Sequence, residues 1–242
     1  MQANIKGLVD RLELSQAKAM MPLYEAISNA VDAIEEHQDG FINHSIRIRL
    51  ISSNDLAHQG GDGTLVVDGF DVIDDGVGFN DKNLASFKEA HTLSKVKLGG
   101  RGVGRFTFLK VFSSVRIRSV FKREGQALLR EFDFSIEDEL KGADVTSEVT
   151  EKCGTQTSLR GMDEKFRAGW PTQPETIAER VIAHFLIRFA ARSCPPMTLE
   201  SPGHAPIDLH ALFQSTVLAH IEEQFFDVSG HTFALQAYRH RD

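Results

Sequence analysis

Three clusters of residues in this sequence have the types and spacing to do chemistry. The first is Glu25-Ala-Ile-Ser-Asn29-Ala-Val-Asp32-Ala33. On a helix, positions i, i+4 and i+7 share a face, so Glu25, Asn29 and Asp32 form a polar stripe. Such a stripe suits a plain solvent-facing surface. It also suits a carboxylate and a carboxamide aimed at a hydrated metal–phosphate group, one orienting water and the other ligating magnesium. The second cluster is Val72-Ile-Asp74-Asp75-Gly76-Val-Gly78-Phe79. An apolar strand delivers Asp74 into a loop whose glycines let the backbone turn sharply and approach a ligand. Asp74 can tighten that turn or accept a hydrogen bond from an exocyclic amine. The third is Gly99-Gly100-Arg101-Gly102-Val103-Gly104-Arg105-Phe106, running on to Lys110. Glycines that lead into an apolar helix expose backbone N–H groups to an anion, and Arg101, Arg105 and Lys110 add positive charge. The cluster lacks the ending of a Walker A loop and the preceding strand of a Rossmann fingerprint. A fourth stretch, Gly154-Thr155-Gln156-Thr157, opens a strand and means little alone, since threonine is common in strands.

These clusters need elements to hold them. Apolar residues at helical spacing, Met20, Leu23, Tyr24, Ile27, Val31 and Ile34, predict a helix over 15–37 that starts or kinks near Pro22. Residues 45–51 alternate as a half-buried strand. Residues 64–67 and 69–73 read as paired strands around an Asp68-Gly69 turn. A helix follows over 80–89, capped by Asn80 or Asp81, then an irregular loop over 91–100 and a helix through Phe112. Strands are expected over 114–121, 128–136 and 155–160. The Gly169-Trp-Pro-Thr-Gln-Pro174 break marks a boundary, followed by an amphipathic helix over 175–192 and short patterns over 197–200, 207–214 and 231–238. Trp170 reads as a boundary plug and His184 as a packing residue. This order is not a regular βαβ alternation. It predicts an α+β two-layer sandwich, a mixed and mostly antiparallel sheet with helices on one face.

Composition narrows the function classes. With 41% hydrophobic and 25% charged residues in 242, the chain is expected to be globular, with no run long enough to span a bilayer and an N-terminus too polar for a signal peptide. Two cysteines, Cys153 and Cys194, make neither a disulfide framework nor a zinc site, and a reducing cytoplasm is the expected compartment. The net charge is −7, yet residues 90–123 carry Lys95, Lys97, Arg101, Arg105, Lys110, Arg116, Arg118, Lys122 and Arg123 with no Asp or Glu among them. That segment points to a local anionic partner, or to phosphate-backbone contacts with nucleic acid.

Taken in order, the four stretches resemble the GHKL ATPases, the superfamily of DNA gyrase B subunits, the ninety-kilodalton heat-shock chaperone, MutL and MORC proteins. Glu25, Asn29, Asp32 and Ala33 match E-x-x-x-N-x-x-D-A; Asp74, Gly76 and Gly78 match D-x-G-x-G; Gly99, Gly102 and Gly104 match G-x-x-G-x-G; Gly154 and Thr155 match the closing G-T. The resemblance covers residues 8 to 162. It implies a Bergerat fold over 1–168 that holds ATP and magnesium, with 169–242 an extension that opens a transducer-like second domain of a longer protein. It further implies Glu25 as the general base, Asn29 as the magnesium ligand, Asp74 on the adenine amino group with Thr155 assisting through water, and Gly78 beside the base. Gly100, Arg101, Gly102, Val103 and Gly104 would wrap the phosphates, with Arg101 or Lys97 neutralising the γ-phosphate and Asp32 in support. The implied activity is slow, magnesium-dependent ATP hydrolysis that drives lid closure, with ATP-dependent homodimerisation and a client protein or DNA reached through other regions, and no membrane partner. The alternative is a module that binds ATP or ADP with little turnover.

Overall fold

The computed structural model describes residues 5–37, 40–41, 43–53, 65–89, 104–144 and 146–240. After a first helix α1 (Ile5–Arg11) and a 3-10 turn (Gln16–Lys18), helix α2 runs from Met21–Glu35. Pro22 sits in its first turn, where a missing N–H is harmless. The helix therefore starts at the proline instead of kinking. Leu23, Ala26, Ile27, Ala30, Val31 and Ile34 are buried along its inner face.

Nine strands make one sheet: β1 (Ile46–Ser52), β2 (Val67–Asp74), β3 (Phe112–Arg123), β4 (Gln126–Ser135), β5 (Glu139–Lys141), β6 (Ser147–Glu148), β7 (Gly154–Met162), β8 (Met197–Glu200) and β9 (Ile207–Asp208). The order is β5-β4-β3-β7-β2-β1-β8-β9, with β6 beside β4. The pairing is antiparallel except between β1 and β8. The result is the expected α+β sandwich with a mixed, mostly antiparallel sheet. Successive side chains on a strand alternate between faces. Ile48, Phe70, Val72, Ile117, Phe132 and Leu159 are buried, on the face where α2 and α4 (Phe106–Val111) lie. The opposite face carries ion pairs: Arg160–Asp71 at 2.6 Å, Arg49–Glu200 at 3.4 Å and Arg118–Glu151 at 2.6 Å. Arg116 and Arg118 also lie within 3.8 Å of Glu131. Part of the basic 90–123 segment is thus paired within the molecule.

Two expectations need correction. Residues 67–74 form one continuous strand, with no turn at Asp68-Gly69. Gly69 is a glycine for a tertiary reason: a side chain there would run into the backbone carbonyl of Leu159 on β7. The boundary at Gly169 falls inside the core. Trp170 stacks on Phe70 with centroids 6.0 Å apart and donates its indole N–H to the Ala19 carbonyl at 3.1 Å. After α5 (Glu164–Arg167), helices α6 (Pro174–His184) and α7 (Leu186–Ala190) supply Ile177, Val181 and Phe189 to the same core, and β8 completes the sheet beside β1. His184 stacks on Tyr24 with ring centroids 3.9 Å apart but is exposed at the end of α6, not packed into the core.

The last helix, α8 (Leu209–Thr216), leads into a separate hairpin, β10 (Val217–Val228) and β11 (His231–His240). Ser229 and Gly230 both have positive φ, as a tight two-residue hairpin turn requires.

Candidate functional site

α2, α3 (Asp81–Glu89) and the sheet enclose a cavity of about 210 Å³. From α2 come Ala26, Asn29, Ala30, Asp32, Ala33 and Glu36; from the sheet Asp74, Ile117, Thr155 and Thr157; from α3 Asn83, Ser86 and Phe87. Alanines 26, 30 and 33 recur at i, i+4 and i+7, so this face of α2 presents short side chains that leave the cavity unfilled.

Asp74 enters at the end of β2, on the same face as Phe70 and Val72, and is 8% exposed. Its Oδ1 accepts the Gly76 N–H at 2.9 Å, and it takes a second backbone hydrogen bond from Thr155, its partner across β2–β7. Burial outweighs those donors and pushes the carboxyl up to about 7. Asp75 serves another purpose: it accepts the Ser45 N–H at 2.8 Å and meets His44 Nδ1 at 3.3 Å, pinning the entry to β1.

The loop after Asp74 is wedged between helix and sheet. The Val77 N–H donates to the Ala33 carbonyl at 3.1 Å. A side chain on Gly76 would collide with Ala33, and one on Gly78, whose φ is +77°, with the Val120 carbonyl on β3. Gly78 lines the cavity, whereas Gly76 packs on α2. Ser119, fully buried on β3, accepts the Phe79 N–H at 2.7 Å and lies 3.0 Å from the Thr155 hydroxyl. Arg130, 2% exposed, donates to the Phe79 carbonyl and to Asp81 at 2.8 Å. Asn80 caps α3 by accepting the Asn83 N–H at 2.9 Å.

Glu25 stands one turn from Asn29, with which it shares a side-chain hydrogen bond. Its carboxylate lies against Gly104, where any side chain would overlap it. Burial raises the Glu25 carboxyl above its usual range, countered by the charge of Arg105 and the Asn29 bond. Arg105 lines the cavity and is 9% exposed; its Nη1 donates to the Phe87 carbonyl at 2.7 Å, and its guanidinium lies 4.0 Å over the Phe87 ring. Lys110 reaches away, donating to the Val9 carbonyl at 2.9 Å. Asp32 lines the cavity, with Arg188 of α7 at 3.9 Å from its carboxylate.

Asn29, Asp74, Gly78 and Thr155 therefore meet in one cavity, with Glu25 and Gly104 touching at its side. Lys97, Gly99, Gly100, Arg101, Gly102 and Val103 lie outside the described residues. Sequence reasoning missed the parts of Ser119, Arg130, Asn83 and Phe87 in this site. Their residue types carry no signal; only the alternation of β3 and β4, which turns Ser119 and Arg130 inward, could have found two of them. No protein-family model matches the chain, and no curated protein matches it.

Proposed function

We propose that the chain binds ATP with magnesium in this cavity and hydrolyses it slowly, the cycle driving a conformational change in a larger protein. The observation that carries this reading is the meeting of Asp74 from β2 with Asn29 from α2, and of Glu25 beside them. A buried carboxylate flanked by Thr155 and Thr157 fits a purine edge, because it offers an acceptor in water-excluded surroundings. In this reading Asp74 accepts a hydrogen bond from the exocyclic amino group. Asn29 offers its carboxamide oxygen to magnesium, an ion that needs few protein ligands beside phosphate and water. Bound magnesium supplies charge neutralisation at the terminal phosphoryl group. Glu25 accepts a proton from the attacking water, a role worth about 10²–10⁴ in rate.

One observation favours a second reading, a nucleotide-binding module with little turnover: burial works against the ionised form of Glu25, the form a general base needs, while the Arg105 charge and the Asn29 bond work for it. Single-turnover phosphate release separates the two. Under the first reading Glu25→Ala lowers release by roughly 10²–10⁴-fold while ATP still raises the melting temperature. Equal release from both proteins removes Glu25 from the mechanism. A thermal shift with GTP as large as that with ATP removes adenine from the cavity.

A further inference from the structure

Arg105 stands out among the residues the mechanism above does not use. It is more than nine-tenths buried, and it lines the cavity. A guanidinium offers five N–H donors. One bond holds it to the Phe87 carbonyl, and stacking on the Phe87 ring fixes its plane. Its Nε is buried without a hydrogen-bond partner. A buried cation short of hydrogen-bond partners is costly, and an anion brought to this guanidinium would offset part of that cost.

The charges around it say what that anion is. Among the described residues that line the cavity, Arg105 is the one arginine or lysine, against Asp32, Glu36 and Asp74. A polyphosphate entering there meets carboxylates from α2 and β2 and needs a cation in place. Arg105 is also at the right end. It follows Gly104, which touches the Glu25 carboxylate, whereas Asp74 enters from β2. Burial lowers its pKa only to about 10, so it stays charged at neutral pH.

We propose that Arg105 is a nucleotide-binding residue, its guanidinium held by Phe87 to donate to a phosphoryl oxygen of the bound nucleotide. This rests on the ATP reading of the same cavity. Charge-assisted bonds from a pre-organised guanidinium reach phosphate in a way a lysine does not reproduce.

The test compares ATP with adenosine, which shares the base and lacks the phosphates, by calorimetry on the full chain and on Arg105→Met and Arg105→Lys. Arg105→Met is expected to weaken ATP roughly 10- to 100-fold and leave adenosine unchanged. Arg105→Lys falls between and keeps the test alive if the methionine variant folds poorly. ATP affinity unchanged in both variants overturns the proposal. So does a parallel loss of ATP and adenosine, which makes Arg105 a wall of the cavity and nothing more. If the unaltered chain binds neither ligand, the ATP reading itself has failed, a result distinct from the other two.

Discussion

At the scale of single residues, Glu25 and Gly104 are complementary: the carboxylate occupies the space a side chain would take. Gly104→Ala is therefore expected to displace Glu25, lowering phosphate release by at least tenfold while weakening ATP binding less; equal losses in both measurements would contradict it. Asp74 gives a pH signature. Its folded-state value, about 7, lies above its ordinary 3.8. The folded state thus favours the neutral acid. That contribution is full below the ordinary value and is lost as pH rises through about 7. Urea midpoints measured from roughly pH 5 to 8 should fall with rising pH in the parent chain and flatten in Asp74→Asn. A variant with an unaltered slope would show that another group titrates. The motif residues were legible in the sequence because helical spacing and a strand-to-glycine step are local patterns. The parts of Ser119 and Arg130 were not. Theirs depend on which backbone groups a neighbouring strand or loop leaves unpaired, and that is set by register across the sheet.

At the scale of elements, the loop between β2 and α3 is tied on three sides: to α2 through Val77 and Ala33, to β3 through Phe79 and Ser119, and to β4 through Arg130. Ser119→Ala strands the Phe79 N–H in the interior. We expect a loss of about 1–3 kcal/mol in denaturant unfolding, with weaker adenine binding because Thr155 loses its hydroxyl partner. Stability within error of the parent would show that the loop is held by its other contacts alone. Helices α2 and α3 were readable from apolar spacing, a proline and a cap. The strand β2 was misread because Asp68-Gly69 has the composition of a turn. Its glycine answers to the Leu159 carbonyl, a neighbour some ninety positions away in the chain.

At the scale of the whole molecule, the core runs through the apparent boundary. Gly169 reads as a linker glycine, yet a side chain there would strike the Gln16 carbonyl. A chain ending at Ala168 loses Trp170, both following helices and β8, and is expected to show no cooperative melt. One ending at Thr216 loses only the hairpin and should melt within a few degrees of the parent; a collapse of that shorter chain would make β10 and β11 part of the core. The pairing of Ile46 with Met197 has a further consequence. A ribosome releases β1 about 150 residues before β8, so the nascent polypeptide must wait for that later strand before the two can pair. Contacts between such distant positions also slow the search for the native state. Stalled chains lacking β8 should be digested readily by protease, and resistance should appear once that strand has emerged.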